Sequence, residues 1–256
     1  MTARKAGTVV SLALASLLGA CMSFYEIPIE TPISPKLDVS AFRRVLIAGF
    51  VTGGSDEVDA NLETVRLLRS QLRTRSDLTV IEADVLNFSS YVAPTGGDTP
   101  PPVQPDQADA EKKIRSAKDL EPFEHVFADA AYWKKLGEEY QEPLIVTGTI
   151  LVTPLQRSGM VERTQEVIDA YGRRSVVPVR TYMERKGFIL NPKFIFIDGR
   201  TGTTLYSESF REEVLYNAQQ NTPALSSYFE LMDRLIPSFL STLSAQKIRG
   251  TRVLLK

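Results

Sequence analysis

Four short apolar runs constrain the fold of this chain more than any other feature. They lie at Arg43–Phe50, Leu78–Ala83, Pro143–Val152 and Gly187–Asp198. Runs of this length that end in turn residues are typical of buried strands. Between the first two runs, residues 55–75 repeat apolar side chains at helical spacing. A strand, a helix and a strand in that order favour a parallel pair of strands joined by a crossover.

The second half of the chain predicts a hairpin followed by a helix. The turn residues Asp198–Gly202 separate the last apolar run from a partner strand at Thr203–Val214. Helical spacing recurs near Glu124–Tyr140 and over Ser226–Leu243, where Pro237 is expected to kink the helix or reset its start. The order β-α-β-α-β-β-β-α predicts an α/β fold, a mixed α+β type with one mixed sheet and helices packed on it.

Two long segments interrupt this pattern. Residues 87–109 are rich in proline, glycine and aspartate and predict a long loop. Residues 154–186 are net basic and predict an extension between two strands, either a long hairpin or a hairpin with a short helix at Thr164–Tyr171. We expect residues 42–256 to form a single α/β domain that contains both segments, with "TRVLLK" near its end as an added edge strand.

The basic extension near 154–186 is the best candidate for a contact surface. A functional interpretation is contact with anionic lipid head groups, peptidoglycan carboxylates or an acidic protein partner. A structural interpretation, equally open at this point, is a solvated extension without a partner. The candidate partner-binding residues are Arg157, Arg163, Arg173, Arg174 and Arg180.

The amino-terminal residues predict an export signal. Arg4 and Lys5 precede an uncharged stretch, Ala6–Ala20. That stretch is shorter than the roughly 20 apolar residues that span a bilayer as a helix. A positive start followed by a short apolar core is typical of a signal peptide, which we place at 1–20.

The chain's only cysteine follows directly. "LGAC", which ends at Cys21, resembles the lipobox of bacterial lipoproteins. The resemblance implies a diacylglyceride on the Cys21 sulfur, cleavage before Cys21 and a further acyl chain such as palmitate on the new amino terminus. Met22 stands where an aspartate favours inner-membrane retention in Gram-negative lipoproteins, so the resemblance implies the outer membrane. Pro28, Pro32 and Pro35 make 21–41 an extended, lipidated tether.

The folded part resembles a group of envelope α/β domains in its layout. The group includes the curli-secretion channel lipoprotein, the lipoprotein activators of penicillin-binding proteins and the amino-terminal domain of the Tol–Pal propeller protein. The resemblance is carried by "RRVLIAGF", "PLIVTGTILV" and "FIFIDGRTGTTLYSESF". These are hydrophobicity patterns with turns, so the resemblance implies a fold and transfers no catalytic residue.

Composition and motifs argue against most catalytic chemistry. The formal net charge of −1 provides no field that would recruit nucleic acid, and one cysteine with one histidine cannot build a common zinc site. Gly49–Asp56 has phosphate-loop spacing but carries Ser55–Asp56 where lysine and a hydroxyl residue are required, so it predicts a flexible turn and a helix cap. His125 is expected near a helix start, and Trp133 in the core. Glu138–Glu139 and Glu212–Glu213 are expected to be solvated.

These observations favour a membrane-anchored lipoprotein facing the periplasm from the outer membrane. We expect it to bind, assemble or regulate a cell-envelope complex through an envelope protein partner, without enzymatic activity, cofactor or metal. One alternative is an oligomeric secretion-channel subunit of the curli-secretion type, which inserts hairpins into the membrane. A third is a cell-wall glycan hydrolase, which needs two facing carboxylates across a groove.

Overall fold

The computed structural model describes residues 24–88, 114–220 and 222–255. Residues 89–113, which hold most of the predicted loop, and Cys21 with the predicted signal peptide lie outside that part of the chain. The strands are β1 (Phe24–Ile33), β2 (Arg44–Gly54), β3 (Thr79–Val80), β4 (Leu144–Ile168), β5 (Arg174–Asp198), β6 (Thr204–Ser209), β7 (Glu212–Asn217) and β8 (Gln246–Leu255). The α-helices are α1 (Ala60–Arg75), α2 (Glu124–Ala128), α3 (Ala130–Glu139) and α4 (Ala224–Leu243), and a 3₁₀ helix covers Ala117–Phe123.

The described chain divides into two compact units. The terminal unit pairs β1 with β8 antiparallel, and Arg249 donates to Glu30 across this pair at 2.9 Å. The carboxy-terminal strand is therefore present, but it pairs with β1 and not with the central sheet. The central unit, 36–244, contains every other element. The domain boundaries inferred from sequence stay predictions.

The central unit has the mixed α/β architecture that the sequence predicts. Its sheet has the order β3-β2-β4-β5-β6, and β7 also pairs with β5. The strand pairs β2–β3 and β2–β4 are parallel, and the pairs that β5 makes with β4, β6 and β7 are antiparallel. The crossover from β2 through α1 to β3 confirms the parallel pair inferred from the first two apolar runs.

Each face of this sheet buries its own apolar cluster because strand side chains alternate between faces. On one face, Ile47, Val146 and Phe196 belong to a cluster that includes residues of α1 and α4. On the other face, Ile145 and Ile197 pack with Trp133 of α3. Trp133 is fully buried and donates its indole N–H to the Val126 carbonyl at 2.7 Å, which confirms its predicted place in the core.

A bulge at Gly49 shifts the register of β2 against β4. Gly49 has a φ of +139°, and a Cβ there would lie 2.5 Å from the Leu86 carbonyl oxygen. The buried Thr147 hydroxyl donates to the Gly49 carbonyl at 2.8 Å and so satisfies a group at the bulge. The predicted flexible turn at Gly49–Asp56 is wrong in its first part, because β2 continues to Gly54. The predicted helix cap lies further on, at Asp59, which accepts from Leu62 N–H at 3.0 Å.

Three further elements differ from the sequence prediction. The strand expected at 78–83 shortens to Thr79–Val80. Beyond it the chain contacts β2 only at separate points: Ile81 N–H bonds the Val45 carbonyl at 2.9 Å, and Arg69 donates to the carbonyls of Ile47 and Ala83 at 3.0 and 2.8 Å. The helix expected over 124–140 is divided at Asp129, whose carboxylate caps α3 by accepting from Tyr132 N–H. The strand expected at 203–214 is two strands, β6 and β7.

The last helix runs through its proline. α4 extends from Ala224 to Leu243 with Pro237 inside it, so Pro237 does not mark a new helix start. Its apolar side chains, among them Leu231, Leu235 and Phe239, are buried as the helical spacing predicts.

Candidate functional site: a two-stranded arm

The basic extension is a long antiparallel hairpin. The ladder between β4 and β5 runs without a register shift from Leu144↔Asp198 to Ile168↔Arg174. β2 stops pairing with β4 at Val152, and β7 stops pairing with β5 at Arg185. We call residues 155–187 the arm. At about 3.3 Å per residue it is roughly 45 Å long. The hairpin prediction is confirmed, and the short helix at Thr164–Tyr171 is wrong, because Thr164 pairs with Pro178 in the ladder.

The two faces of the arm differ in chemistry. Directly opposed residues share a face, so even-numbered residues of both strands lie on one face and odd-numbered residues on the other. The even-numbered side, the charged face, carries Glu162 opposite Arg180, and Glu166 within 3.5 Å of Arg174. The odd-numbered side, the valine face, carries Val161, Val167, Val177, Val179 and Met183. Arg163 is the one charged side chain in its middle, and Arg157 and Arg185 lie opposite each other near its base.

Large apolar side chains on the arm are open to solvent. Tyr171 is 84% exposed, Met160 65% and Tyr182 58%. Met160 and Tyr182 are directly opposite each other on the charged face. Exposed apolar residues that cluster on one projecting element are a common mark of an interaction surface.

The tip of the arm is an ordered turn built around Asp169. The carboxylate accepts the backbone N–H groups of Tyr171 and Arg173 at 2.9 Å each and the Arg173 guanidinium at 2.8 Å. Gly172, with a φ of +78°, closes the turn, and Arg173 lies over the Tyr171 ring, 5.4 Å from its centroid. The backbone N–H of Arg173, with its side chain, lowers the pKa of Asp169 below the ordinary value, despite a small opposing effect of desolvation.

The base of the arm is clamped to β7. Arg157 donates to both carboxylate oxygens of Glu213, at 3.0 and 3.1 Å. Arg234 of α4 donates to the Glu213 carbonyl at 3.2 Å and to the Glu230 carboxylate at 2.6 Å. Glu213, expected to be a solvated charge, therefore orients the arm where it leaves the sheet.

The five predicted contact arginines are spread along the arm and do not form one patch. Arg157 and Arg163 lie on the valine face, Arg174 and Arg180 lie on the charged face, and Arg173 is at the tip. Three of them have carboxylate partners within the chain: Glu213, Asp169 and Glu166. Arg163 and Arg180 form no ion pair with a described residue. Their role in partner binding stays a prediction.

Two shallow clefts lie where the arm meets the sheet. The first, of about 340 Å³, is lined by residues that include Glu57, Lys186 and Tyr216, with Glu57 its only carboxylate among the described lining residues. The second, of about 330 Å³, lies between Arg157 and Arg185 with Glu184 as its only described acid. Neither cleft brings together the two carboxylates that a glycan hydrolase needs.

Other candidate residues occupy ordinary positions. His125 is exposed at the start of α2, as expected. Within residues 24–88, 114–220 and 222–255, no group of three His, Cys, Asp or Glu side chains is placed to hold a metal ion. No helix among those residues combines the length and the apolar character needed to cross a membrane.

Comparisons with known proteins give only distant likenesses. No protein-family model matches the chain. No curated protein sequence matches it either. One similar solved structure is a neuraminyllactose-binding hemagglutinin homolog from Helicobacter pylori, 10% identical, with a TM-score of 0.37, covering 83% of this chain and 88% of that one. Another is a lipoprotein from Neisseria meningitidis, 12% identical, with a TM-score of 0.34, covering 77% of this chain and 96% of that one. At such identities and TM-scores neither likeness indicates what this chain binds.

Sequence reasoning found the arm but missed its organisation. "DAYGR" at 169–173 holds the signal for the tip turn, because an aspartate that accepts from following N–H groups and a glycine in left-handed conformation are common turn residues. The clamp between Arg157 and Glu213 joins residues that are far apart in sequence, and no local pattern marks it.

Proposed function

We propose that this protein is a non-enzymatic binding component of a cell-envelope assembly, with the arm as its contact element. Lipidated Cys21 would hold it at the outer membrane, facing the periplasm. The observation that carries the proposal is the arm itself: a clamped hairpin with both faces exposed and with Met160, Tyr171 and Tyr182 open to solvent. An isolated two-stranded hairpin is marginally stable in water, so its length is better explained by a contact than by folding.

The chemistry of the arm suits a protein partner. Exposed tyrosine, methionine and arginine are the residue types that are enriched at protein interfaces. Tyr182 and Met160 would supply apolar contact area. Arg163 and Arg180, which have no ion pair among the described residues, would pair with acidic groups of the partner or with peptidoglycan carboxylates.

Site-specific photocrosslinking in the native envelope tests this proposal. A photoreactive phenylalanine analogue replaces Tyr182, and in a matched control it replaces Leu205 of β6, an exposed apolar residue away from the arm. We expect a crosslinked species at position 182, heavier by the mass of a partner, and none at position 205. Equal labelling at both positions, or none at 182 while the protein is folded and in its membrane, would remove the arm as the contact element.

A further inference from the structure

Beyond Val152, the outer edge of β4 pairs with no strand among the described residues. The Val152 carbonyl points away from β5 and accepts from Ser55 N–H at 2.7 Å. Backbone groups alternate in direction along a strand, and the β4–β5 ladder has no register shift. Every even-numbered residue of β4 beyond Val152 therefore also points its backbone groups away from β5. The Asp169 N–H bonds the Arg173 carbonyl at 3.0 Å, which places odd-numbered backbone groups between the two strands. Even-numbered residues of β4 from Gln156 to Ile168 therefore point N–H and carbonyl groups away from β5, and no described strand pairs with them.

The outer edge of β5 is blocked. Ala218 N–H bonds the Glu184 carbonyl at 2.9 Å, so even-numbered residues of β5 also point outward. Pro178 is one of them, and it has no N–H to offer in the middle of that edge. Proline at an outward position is a common way in which proteins prevent an edge strand from pairing. The β4 edge has a proline only at its base, Pro154, and is otherwise open.

We infer that the β4 edge pairs with the same edge of a second copy of this chain. The two arms would lie antiparallel about a two-fold axis at Val161 and form a four-stranded sheet in the order β5, β4 and the partner's β4 and β5. Such a sheet is more stable than a two-stranded ribbon, and isologous two-fold pairing is the commonest form of self-association.

The charges along β4 disfavour four neighbouring registers, and an axis at 159 or below, or at 165 or above, would leave part of the free β4 edge unpaired. In an antiparallel pair, residues whose N–H and carbonyl groups point toward the partner strand lie directly opposite one another. Even-numbered residues of one β4 must therefore face even-numbered residues of the other, which requires the two-fold axis to pass through a residue and not between two residues. An axis at 160 places Arg157 opposite the partner's Arg163, and an axis at 162 or 163 places Glu162 or Arg163 opposite its own copy. An axis at 164 places Glu162 opposite the partner's Glu166. Like charges directly opposed are destabilising. Only an axis at Val161, among these five, opposes no like charges.

The same register uses the whole edge. It places Ile168 opposite the partner's Pro154, just beyond Val152, where pairing with β2 ends. On the valine face, Leu155 meets the partner's Val167, and Val161 meets its own copy. The apolar ends and centre of one strand therefore meet the apolar ends and centre of the other.

Gly159 provides a second, independent observation. A Cβ at Gly159 would meet nothing within 4 Å, so no contact in the described chain requires glycine in this strand. Glycine inside a strand often marks a place where another chain approaches closely. In the register centred at Val161, Gly159 lies opposite the partner's Arg163 and leaves room for that side chain, the one charge in the middle of the valine face.

Cysteine crosslinking of the full chain in membranes tests the register. Val161→Cys would bring two thiols together in a non-hydrogen-bonded pair with a Cα separation of about 4.5 Å, which a disulfide can bridge. The Arg163→Cys pair would be separated by about 13 Å and could not be bridged. Val179→Cys places the thiol on the same face of the other strand. After mild oxidation we expect a disulfide-linked dimer with Val161→Cys and with the double variant Gly159→Cys/Arg163→Cys, and none with Arg163→Cys, Val179→Cys or the parent chain.

Three results would overturn the inference. They are the absence of a dimer with Val161→Cys, equal dimer yields at positions 161, 163 and 179, and a Val161→Cys adduct whose mass is that of a different protein. The last result would show that the β4 edge receives a strand from another partner.

A proline variant provides a second measurement that needs no oxidation. Thr164→Pro removes an outward N–H from β4, as Pro178 already does on β5, and leaves the ladder bonds within the arm unchanged. Val176→Pro makes the same change on the β5 edge and is the matched control. Light scattering on detergent-extracted protein should give a dimer for the wild type and Val176→Pro, and a monomer for Thr164→Pro with unchanged circular dichroism. A monomeric wild type, or a dimeric Thr164→Pro, would contradict the inference, and neither result bears on the Tyr182 crosslink.

Discussion

At the scale of the residue, the buried polar side chains show how the two largest helices are fixed to one another. Tyr228 of α4 is fully buried, and its hydroxyl hydrogen-bonds the Thr64 hydroxyl of α1. Thr64 in turn donates to the Ala60 carbonyl. A buried hydroxyl without a partner costs free energy, so this network favours one position of α4 against α1.

Tyr228→Phe removes one hydroxyl from this network and little volume. We expect the free energy of unfolding to fall by about 1–2 kcal/mol, because the Thr64 hydroxyl loses a buried partner. Tyr171→Phe at the exposed tip is the control, and it should change that free energy by less than about 0.5 kcal/mol. Chemical denaturation followed by circular dichroism measures both. Equal effects would mean that the buried hydroxyl contributes nothing specific.

The same tyrosine predicts a dependence on alkaline pH. Burial raises the pKa of Tyr228 well above its ordinary value, more than the Thr64 hydrogen bond lowers it. The contribution is fully present below the unfolded pKa of about 10 and is lost as the pH rises above it, because the unfolded chain then releases a proton that the folded chain retains. The difference in stability between wild type and Tyr228→Phe should therefore shrink above about pH 10. A difference that grows there would contradict the assignment.

At the scale of the element, the arm depends on its two ends. The clamp at Glu213 holds the base, and the Asp169 turn holds the tip. Beyond Arg185, where pairing with β7 ends, no other described strand pairs with this ladder, so both ends must be ordered for the arm to keep one conformation.

Asp169→Ala tests the tip. The change removes the acceptor of the Tyr171 and Arg173 N–H groups, so we expect trypsin to cleave after Arg173 and Arg174 several-fold faster than in the wild type. Asp169→Asn keeps one acceptor oxygen, and its cleavage rate should be intermediate.

The lowered pKa of Asp169 means that its contribution to the stability of the tip is present above the unfolded pKa of about 3.9 and is lost as the pH falls through the folded pKa. Amide shifts of Tyr171 and Arg173 should accordingly move only below about pH 4. A shift near pH 6 would contradict this.

Sequence reasoning predicted the elements whose signal is local. The apolar run at 143–152 and the helical spacing of 226–243 report burial directly, and both elements are present. It did not predict the bulge at Gly49 or the division of the strand at 203–214, because both depend on tertiary contacts. Phe210, between β6 and β7, bonds the Pro192 carbonyl through its N–H and packs against Phe194, and neither contact is visible in a local pattern.

At the scale of the whole molecule, the candidate site could be located from the sequence but not resolved into faces. Net positive charge drew attention to 154–186, yet Arg157, Arg173 and Arg174 have partners within the chain. Gly159 and Pro178, on which the pairing of the β4 edge depends, carry no charge. Their roles depend on whether the even- or the odd-numbered residues of the β4–β5 ladder point their backbone groups outward, and a sequence pattern does not show which do.

The lipid anchor decides where the arm can work, and Cys21→Ser tests it. Each buried methylene contributes about 0.8 kcal/mol, so a diacylglyceride with a further acyl chain would hold the molecule on its membrane, whereas one chain binds only reversibly. Serine has no thiol to receive the diacylglycerol. We expect the wild type in the membrane fraction with the mass of a triacylated mature chain, and Cys21→Ser in the soluble fraction or unprocessed. Because Cys21 lies outside the central unit, the Tyr228→Phe and Asp169→Ala effects should be unchanged in the released protein. A wild-type chain without acyl groups would place the arm in solution and would leave its partner to be sought among soluble proteins.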